Sequence, residues 1–332
     1  MIETEARLSA SLPSQPLVLT CGDPAGVGLE IIAAWAQAHP QASQAACLIG
    51  PRMWLDELAA CGIAFHRTLA VGPRSFMPHP GKPTVEGADL AVEALECAAA
   101  GCREGDFSAV VTAPVSKIWL KRVGFSFPGQ TEFFADRWGD VPTMAFAGGR
   151  LRVVIATRHI PLQDVPRQLD APSLQHAVAQ AVQLVQCLGV ARPRIGVCGL
   201  NPHAGEEGLL GSEEQDVLNP QLTELRSTYP DLSLCQPADT LFRRHLQGEF
   251  DAVVALYHDQ GLAPLKTLEF DQAVDITLGL PWVRTGPDHG TGFSIAGKNV
   301  ATITSFANAV DLARKLACKL SKNGQGNRKF EK

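Results

Sequence analysis

The stretch Leu151–Thr157, LRVVIAT, is an apolar run that leads directly to His159, and two later stretches repeat the arrangement. RIGVCGL (Arg194–Leu200) leads to His203, and FDAVVALY (Phe250–Tyr257) leads to His258. Continuous runs rich in Val and Ile predict strands buried on both faces, as in parallel sheets flanked by helices. Ligands of such sheets bind beyond the carboxyl ends of the strands. The pattern therefore predicts three histidines at one edge of a parallel sheet.

Three imidazoles at such an edge can form a His₃ metal site with an open coordination position, as catalysis requires. The alternative is that each histidine is only a polar loop residue, which is the usual state of a single histidine. Five of the six other histidines lie in a helical pattern, a charged stretch or connectors. We expect these to be structural or solvated: His39, His66, His79, His176 and His245.

Strand and helix signals alternate along the chain, which predicts an α/β fold with a mostly parallel sheet. Short strands are expected at Leu17–Cys21, Ala46–Ile49 and Ala109–Thr112. Thr84 is a suitable N-cap for a helix that reaches Ala100, with Gly101 at its end. A further helix is expected from Ser173 to Gly189.

Composition excludes several classes of protein. The chain has 332 residues, 45% hydrophobic residues and a formal net charge of −5, so it lacks the basic surface of a nucleic-acid or anionic-membrane binder. No apolar stretch has the length of a membrane span. The nine cysteines show no C-x-x-C spacing, which suits reduced thiols in a cytoplasmic protein. Residues 1–16 are polar and are expected to form a disordered leader.

The turn GDPAGVG (Gly22–Gly28) lies between the first strand and the first helix. Glycines there let backbone amides approach a ligand, and a helix N-terminus favours anions. The spacing is not G-x-G-x-x-G, so it is not a conventional dinucleotide fingerprint. By itself the segment is as consistent with a tight turn as with a phosphate cradle.

Nine motifs occur in order over roughly residues 17–320. They are GDPAGVG, VTAPVSK, PGQTEFFA, TRHIPL, NPHAGEEGLLGSEE, PADTLF, YHDQGLAPLK, DITLGLPWVRT and PDHGTGFSIAGK. In this combination the chain resembles the 4-hydroxythreonine-4-phosphate dehydrogenase family of pyridoxal phosphate (vitamin B6) biosynthesis. The order of the blocks is far more specific than any one of them.

The resemblance implies a two-domain α/β fold like that of isocitrate and isopropylmalate dehydrogenases, with an interdomain cleft. It predicts a discontinuous first domain from residues 17–125 and 283–320, and a second domain from residues 126–282 that carries the metal ligands. Residues 321–332 are expected to form a flexible tail. The resemblance also implies a homodimer whose subunits share each active site.

By the same resemblance His159, His203 and His258 are the metal ligands, with one divalent zinc, cobalt or magnesium ion. Three nitrogen ligands favour zinc or another transition metal over magnesium. Asp239 in PADTLF resembles a family acid near the site. Its alternative role is an N-cap for a helix that begins at Thr240.

Five residues match substrate-binding positions of the family: Gln130, Thr131, Lys266, Asp275 and Arg284. Lys266 and Arg284 suit a phosphate, Arg as a fork and Lys as a point charge. Two positions depart from the family pattern. Gln130 stands where the family motif GHTE has histidine, and Asp275 stands where the family motif NITLGLP has asparagine. These departures leave the exact substrate open.

The implied reaction is oxidation of 4-phosphohydroxy-L-threonine by NAD or NADP to a 3-keto acid, which decarboxylates to 3-amino-2-oxopropyl phosphate. The alternatives are a related dehydrogenase of a cis-dihydrodiol carboxylate or a four-carbon sugar acid phosphate, and a His₃ metal-dependent hydrolase. A non-enzymatic sheet protein with incidental histidines is a further alternative. Lys117 and His289 are candidates for proton transfer, but the sequence does not identify the general base.

Overall fold

The computed structural model describes residues 15–324 of the chain. Within them the chain divides into two compact units, unit 1 (residues 15–140 and 280–324) and unit 2 (Val141–Gly279). Most of the expected leader, residues 1–14, and the end of the expected tail, residues 325–332, lie outside the described residues.

The strands, numbered in chain order, are β1 Leu17–Thr20, β2 Ala46–Pro51, β3 Arg67–Val71, β4 Ala109–Thr112, β5 Thr143–Ala147, β6 Arg152–Ile155, β7 Ile195–Cys198, β8 Leu232–Gln236, β9 Ala252–Ala255, β10 Val274–Leu278 and β11 Val283–Pro287. The helices are α1 Gly28–Ala38, α2 Pro40–Ser43, α3 Arg52–Ala60, α4 Val85–Glu104, α5 Lys117–Arg122, α6 Gln130–Trp138, α7 Val165–Gln168, α8 Ala171–Cys187, α9 Asn219–Leu225, α10 Ala238–Leu246, α11 His258–Glu269 and α12 Thr304–Gly324.

Unit 1 contains strands in the order β3-β2-β1-β4-β11, each parallel to its neighbours. The turn after β1 is tight, as expected. A Cβ added to Gly28 would come within 2.4 Å of the Cys21 carbonyl oxygen, so α1 can begin this close to β1 only with glycine at that position.

Helix α4 shows what local signals predict well and where they fail. The Thr84 hydroxyl accepts a hydrogen bond from the Gly87 amide at 3.0 Å, which confirms the expected N-cap. The expected end at Gly101 is wrong, because the helix continues to Glu104 and ends at Gly105 with φ 83°. Gly101 is instead a packing position, where an added Cβ would lie 2.3 Å from the Phe107 ring.

Unit 2 contains strands in the order β10-β5-β6-β9-β7-β8. β5 is antiparallel to both β10 and β6, whereas β6, β9, β7 and β8 are parallel to their neighbours. The expected mostly parallel α/β architecture is confirmed. The three strands that lead to histidines, β6, β9 and β7, lie side by side.

Helices cover both faces of these three strands. One face carries a core cluster that joins the strands to α10 and α11: Met144, Phe146, Leu151, Val153, Ile155, Cys198, Leu241, Phe242, Phe250, Val253, Ala255, Leu262, Leu265 and Ala273. Alternation along a strand places Val154 and Val254 on the opposite face, and α8 packs against β6, β7 and β9. The strands are therefore fixed, and the loops beyond their carboxyl ends remain accessible for chemistry.

The division into units differs from the sequence expectation at residues 126–140. These residues include α6 and belong to unit 1, not to the second domain. The Trp138 indole donates to the Ala99 carbonyl at 3.1 Å, and Arg137 pairs with Glu96, so α6 is attached to α4. The boundary after residue 282 also moves, since residues 280–282 belong to unit 1.

Helix α12 continues through Gly324, so residues 321–324 of the expected flexible tail are helical. Among residues 15–324, no helix has the length and apolar character needed to cross a membrane.

Candidate active site

The carboxyl ends of β6, β9 and β7 meet at one edge of unit 2, and each is followed within a few residues by a histidine. His159 follows β6, His258 follows β9 and His203 follows β7. The ring centroids of His159 and His258 are 5.4 Å apart. Because parallel neighbours end at the same edge, all three histidines follow strand ends at one edge of the sheet.

His258 is the first residue of α11, directly after the N-cap Tyr257. Its Nδ1 lies 2.7 Å from Asp259 Oδ1. A carboxylate oxygen only accepts, so Nδ1 must carry the hydrogen, and in the neutral ring Nε2 is left with the lone pair. Nε2 is the atom that a metal requires.

His203 lies in a segment of unusual backbone. Five successive residues, 203–207, have positive φ: 53° at His203, 55° at Ala204, 84° at Gly205, 44° at Glu206 and 56° at Glu207. Left-handed conformation costs an L-residue about 1–2 kcal/mol, and four of these five residues are not glycine. Such strain persists only where surrounding contacts enforce it, and it is typical of functional sites.

A buried acid provides that enforcement. Glu214 is 2% exposed; its Oε1 accepts from the Asn201 amide at 2.7 Å, and its Oε2 accepts from Asn201 Nδ2 at 2.9 Å. Glu213 Oε2 accepts from the same Nδ2 at 2.7 Å. The two acids thus anchor the residue at which the His203 loop begins. Both acids belong to the motif NPHAGEEGLLGSEE, in which no sequence pattern indicates this role.

The side chain of His203 also has a carboxylate partner, since its Nδ1 lies 2.8 Å from Glu206 Oε1. As at His258, the carboxylate oxygen can only accept, so Nδ1 is the donor and Nε2 keeps the lone pair. Both histidines therefore show the carboxylate–imidazole pairing that fixes the tautomer of metal-binding histidines.

The structure brings His159 and His258 together but does not close a three-residue cluster. Within residues 15–324, no group of three or more His, Cys, Asp and Glu side chains is arranged to hold a metal ion. The His₃ site remains a prediction, which the strand order and the donor chemistry fit.

Three of the expected substrate residues belong to unit 1. Gln130 and Thr131 open α6, and Thr131 is 4% exposed. Gln130 Oε1 is buried without a hydrogen-bond partner among the described residues. Arg284 lies on β11, is 4% exposed and donates from Nε to Thr112 Oγ1 at 2.9 Å, at the carboxyl end of β4.

The other two expected substrate residues belong to unit 2. Lys266 lies on α11, the helix that begins at His258, and it is half-buried. Asp275 lies on β10, is also half-buried and is paired in register with Phe146 of β5. Their role in substrate binding stays a prediction.

The N-cap alternative for Asp239 is wrong. Helix α10 begins at Ala238 with Pro237 as its N-cap, and Asp239 is an exposed residue of the first turn that caps nothing. Lys117 is exposed at the start of α5, and His289 Nδ1 lies 2.9 Å from the Gly290 carbonyl oxygen. Neither the exposure of Lys117 nor the His289 contact identifies a general base.

Asp23 of the GDPAGVG turn is a buried acid that sequence reasoning did not single out. It is 3% exposed, and its Oδ1 accepts from the Ala25 amide at 3.0 Å. Burial raises the pKa of its carboxyl above the usual range, and the Ala25 hydrogen bond opposes this effect. It lines a cavity of about 280 Å³ together with Lys82 and Glu86.

Comparison with known proteins agrees with the motif order. The model of the family described as pyridoxal phosphate biosynthetic protein PdxA matches residues 31–313. A protein of Erythrobacter litoralis named 4-hydroxythreonine-4-phosphate dehydrogenase is 41% identical over 92% of this chain and 98% of its own length. One of Bradyrhizobium diazoefficiens with the same name is 38% identical over 93% of this chain and 99% of its own length.

Solved structures of two kinds of dehydrogenase also match this chain. A 4-hydroxythreonine-4-phosphate dehydrogenase from Klebsiella pneumoniae matches with a TM-score of 0.77 at 32% identity, covering 92% of this chain and 100% of its own. A terephthalate 1,2-cis-dihydrodiol dehydrogenase from Burkholderia xenovorans matches with a TM-score of 0.69 at 28% identity, covering 91% and 98%. This chain belongs to the pyridoxal phosphate biosynthetic protein PdxA family.

Proposed function

We propose that the protein oxidises 4-phosphohydroxy-L-threonine with NAD or NADP to a 3-keto acid, which loses carbon dioxide to give 3-amino-2-oxopropyl phosphate. The observation that carries the proposal is the histidine-bearing edge of β6, β9 and β7, found in a chain of this family. Relatives at about 40% identity carry the name of this dehydrogenase. The related dihydrodiol dehydrogenase is less similar, which makes its substrate class the weaker candidate.

The metal ligands in this proposal are His159, His203 and His258. Their donor set fits zinc or cobalt better than magnesium, because imidazole nitrogen suits transition metals. A divalent ion held there would act as a Lewis acid towards the alcohol oxygen of the substrate and, after oxidation, towards the charge that develops on loss of carbon dioxide.

The protein side chains have separate tasks. Asp259 and Glu206 hold the Nδ1 hydrogens of His258 and His203, so each ring presents Nε2. Arg284 and Lys266 supply positive charge for the substrate phosphate. The buried Oε1 of Gln130 can accept a hydrogen bond from a substrate hydroxyl or amine. In this role glutamine would replace the histidine of the family pattern.

A nicotinamide cofactor would accept the hydride from the substrate carbon. We further propose that the enzyme is a cytoplasmic homodimer whose subunits share the active site. Within residues 15–324, which include all nine cysteines, no disulfide bond is present, which suits a reducing compartment. Sedimentation of the purified protein would test the dimer.

The test is an assay of the chelator-stripped protein reconstituted with Zn²⁺ or Co²⁺, NAD or NADP, and 4-phosphohydroxy-L-threonine. The expected result is metal-dependent growth of reduced-cofactor absorbance at 340 nm, with release of carbon dioxide. A signal only with a cis-dihydrodiol carboxylate, or only with a four-carbon sugar acid phosphate, would reassign the substrate. Hydrolysis without any cofactor reduction would overturn the dehydrogenase proposal in favour of a His₃ hydrolase.

A further inference from the structure

The peptide groups of Leu256, one residue beyond β9, connect the ends of all three histidine-bearing strands. On one side, the Leu256 carbonyl accepts from the Thr157 hydroxyl at 2.6 Å and from the Thr157 amide at 3.2 Å, which joins β9 to the end of β6. On the other side, the Leu256 amide donates to Gln260 Oε1 at 2.7 Å. Gln260 Nε2 then donates to the Gly199 carbonyl, just beyond β7, at 2.7 Å.

The β6–β9 connection and the β7–β9 connection differ in how the strand ends meet. β7 and β9 pair in the register Ile195 with Ala252, Gly196 with Val253 and Val197 with Val254. Continuing this register would place Gly199 opposite Leu256, beyond the last paired residues Val197 and Val254. Here the side-chain amide of Gln260 is inserted between them. Beyond the paired residues, the ends of β7 and β9 are connected through this amide group, whereas β6 and β9 are joined by direct contacts.

Burial makes this bridge necessary. Leu256 is 0% exposed and Gly199 is also buried, so their backbone N–H and C=O groups require hydrogen-bond partners. A bridge between an amide donor and a carbonyl acceptor needs a group that accepts at one atom and donates at another. Glutamine does both; glutamate can only accept, and its carboxylate would face the Gly199 oxygen.

We propose that Gln260 is a positioning residue that sets the separation between the loops bearing His203 and His258, and so tunes the affinity and geometry of the metal site. The inference rests on the proposed His₃ site. It agrees with the distribution of the rings, since the directly joined strands β6 and β9 bring His159 and His258 to a centroid distance of 5.4 Å. Gln260 is not in contact with substrate in this proposal; it acts through the strand ends.

The experiment measures Co²⁺ binding by the full-length apoprotein, by competition with a chromogenic chelator and by the visible d–d spectrum. The variants are Gln260→Glu, which keeps the shape but loses the donor, and Gln260→Met, which loses both polar atoms. We expect the Co²⁺ dissociation constant to rise about 10- to 100-fold, as for other residues that orient metal ligands, with an altered d–d spectrum. The matched control is Gln247→Glu, the same change at an exposed glutamine that caps α10.

Thermal unfolding of each apoprotein separates a local change in geometry from loss of the fold. If Gln260→Glu or Gln260→Met does not fold, Gln260→Asn replaces it, because asparagine keeps the amide and is too short to reach both partners. Wild-type affinity and spectrum in the folded Gln260 variants would overturn the positioning role. Absence of stoichiometric Co²⁺ binding by the wild-type protein would instead overturn the metal site, and with it the proposed function.

Discussion

Histidines of unit 2 lie both at the amino ends of its parallel strands (the amino edge) and at the carboxyl ends (the carboxyl edge), and the surroundings of the two groups differ. At the amino edge, His245 is 4% exposed; its Nδ1 donates to the Phe250 carbonyl at 2.7 Å and its Nε2 accepts from the Arg152 amide at 3.1 Å. At the carboxyl edge, His203 and His258 are more accessible, and only Nδ1 is engaged by a neighbouring carboxylate. Residue type is therefore a poor guide to role. A histidine with both nitrogens satisfied is structural, and one that presents Nε2 is available for chemistry.

The largest effect should come from removing a carboxyl-edge imidazole. In His258→Ala we expect loss of stoichiometric Co²⁺ binding and a fall in kcat/KM of roughly 1,000-fold, equivalent to about 4 kcal/mol of transition-state stabilisation. Chelator competition and the 340 nm assay measure the two effects. His66→Ala, at an exposed histidine of unit 1, is the control and should retain both properties. Unchanged metal binding in His258→Ala would remove the distinction between the two edges.

The next effect concerns the acid that anchors the His203 loop. Glu214→Gln keeps the volume but places an amide hydrogen against Asn201 Nδ2, so we expect the free energy of unfolding to fall by about 2 kcal/mol. Urea denaturation at pH 7.5 measures the loss. Glu224→Gln makes the same change at an exposed position of α9 and should stay within about 0.5 kcal/mol of wild type. Equal losses in the two variants would show that Glu214 is not an anchor.

The amino-edge histidine should respond to pH. Burial lowers the pKa of His245 below 6.5, and the Phe250 hydrogen bond opposes this effect. Because the unfolded chain binds the proton more readily, the contribution of His245 to stability is complete above pH 6.5. It declines as the pH falls below 6.5 towards the folded-state pKa, by at most about 1.4 kcal/mol per pH unit.

In His245→Gln, the free energy of unfolding should depend less on pH between 6.5 and 5 than in the wild type. Urea denaturation at several pH values compares the slopes, so any constant loss of stability in the variant does not affect the result. His176→Gln, at another histidine of unit 2, is the control. Parallel pH profiles for wild type and His245→Gln would contradict a buried, neutral imidazole.

The smallest effect is expected at the departures from the family pattern. Gln130→His and Asp275→Asn should each change kcat/KM for 4-phosphohydroxy-L-threonine by less than about threefold. At position 130 the reason is that glutamine already supplies donor and acceptor atoms. A panel of this substrate and a cis-dihydrodiol carboxylate measures the change in preference. A many-fold gain with the phosphorylated amino acid would show that this chain has diverged from that substrate.

Sequence patterns predicted much of the fold because the signals were local. Thr84 caps α4 as expected, since a hydroxyl and an amide three residues apart meet without help from the rest of the chain. Gly101 misled because its role is set by Phe107, which packs against the helix from outside it. The assignment of α6 failed for a similar reason, as contacts with α4 decide where Trp138 belongs.

The candidate site likewise combines features that local sequence patterns predict with features that only contacts between distant residues create. The apolar runs and the histidines that follow them were visible in the sequence, and so was the order of motifs that assigns the family. The left-handed turn at residues 203–207 was not visible in the sequence, because four of its five residues have no intrinsic preference for positive φ. It depends on Glu214, which reaches back to Asn201.

By itself, the sequence determined the strands, their histidines and the family, because each depends on residues that are neighbours in the chain. Only the tertiary structure decided that β9 lies between β6 and β7, and that Gln260 spans 61 positions to reach Gly199. The physical reason is that strand order and bridging hydrogen bonds are selected by burial of distant segments against one another, which local propensity does not encode.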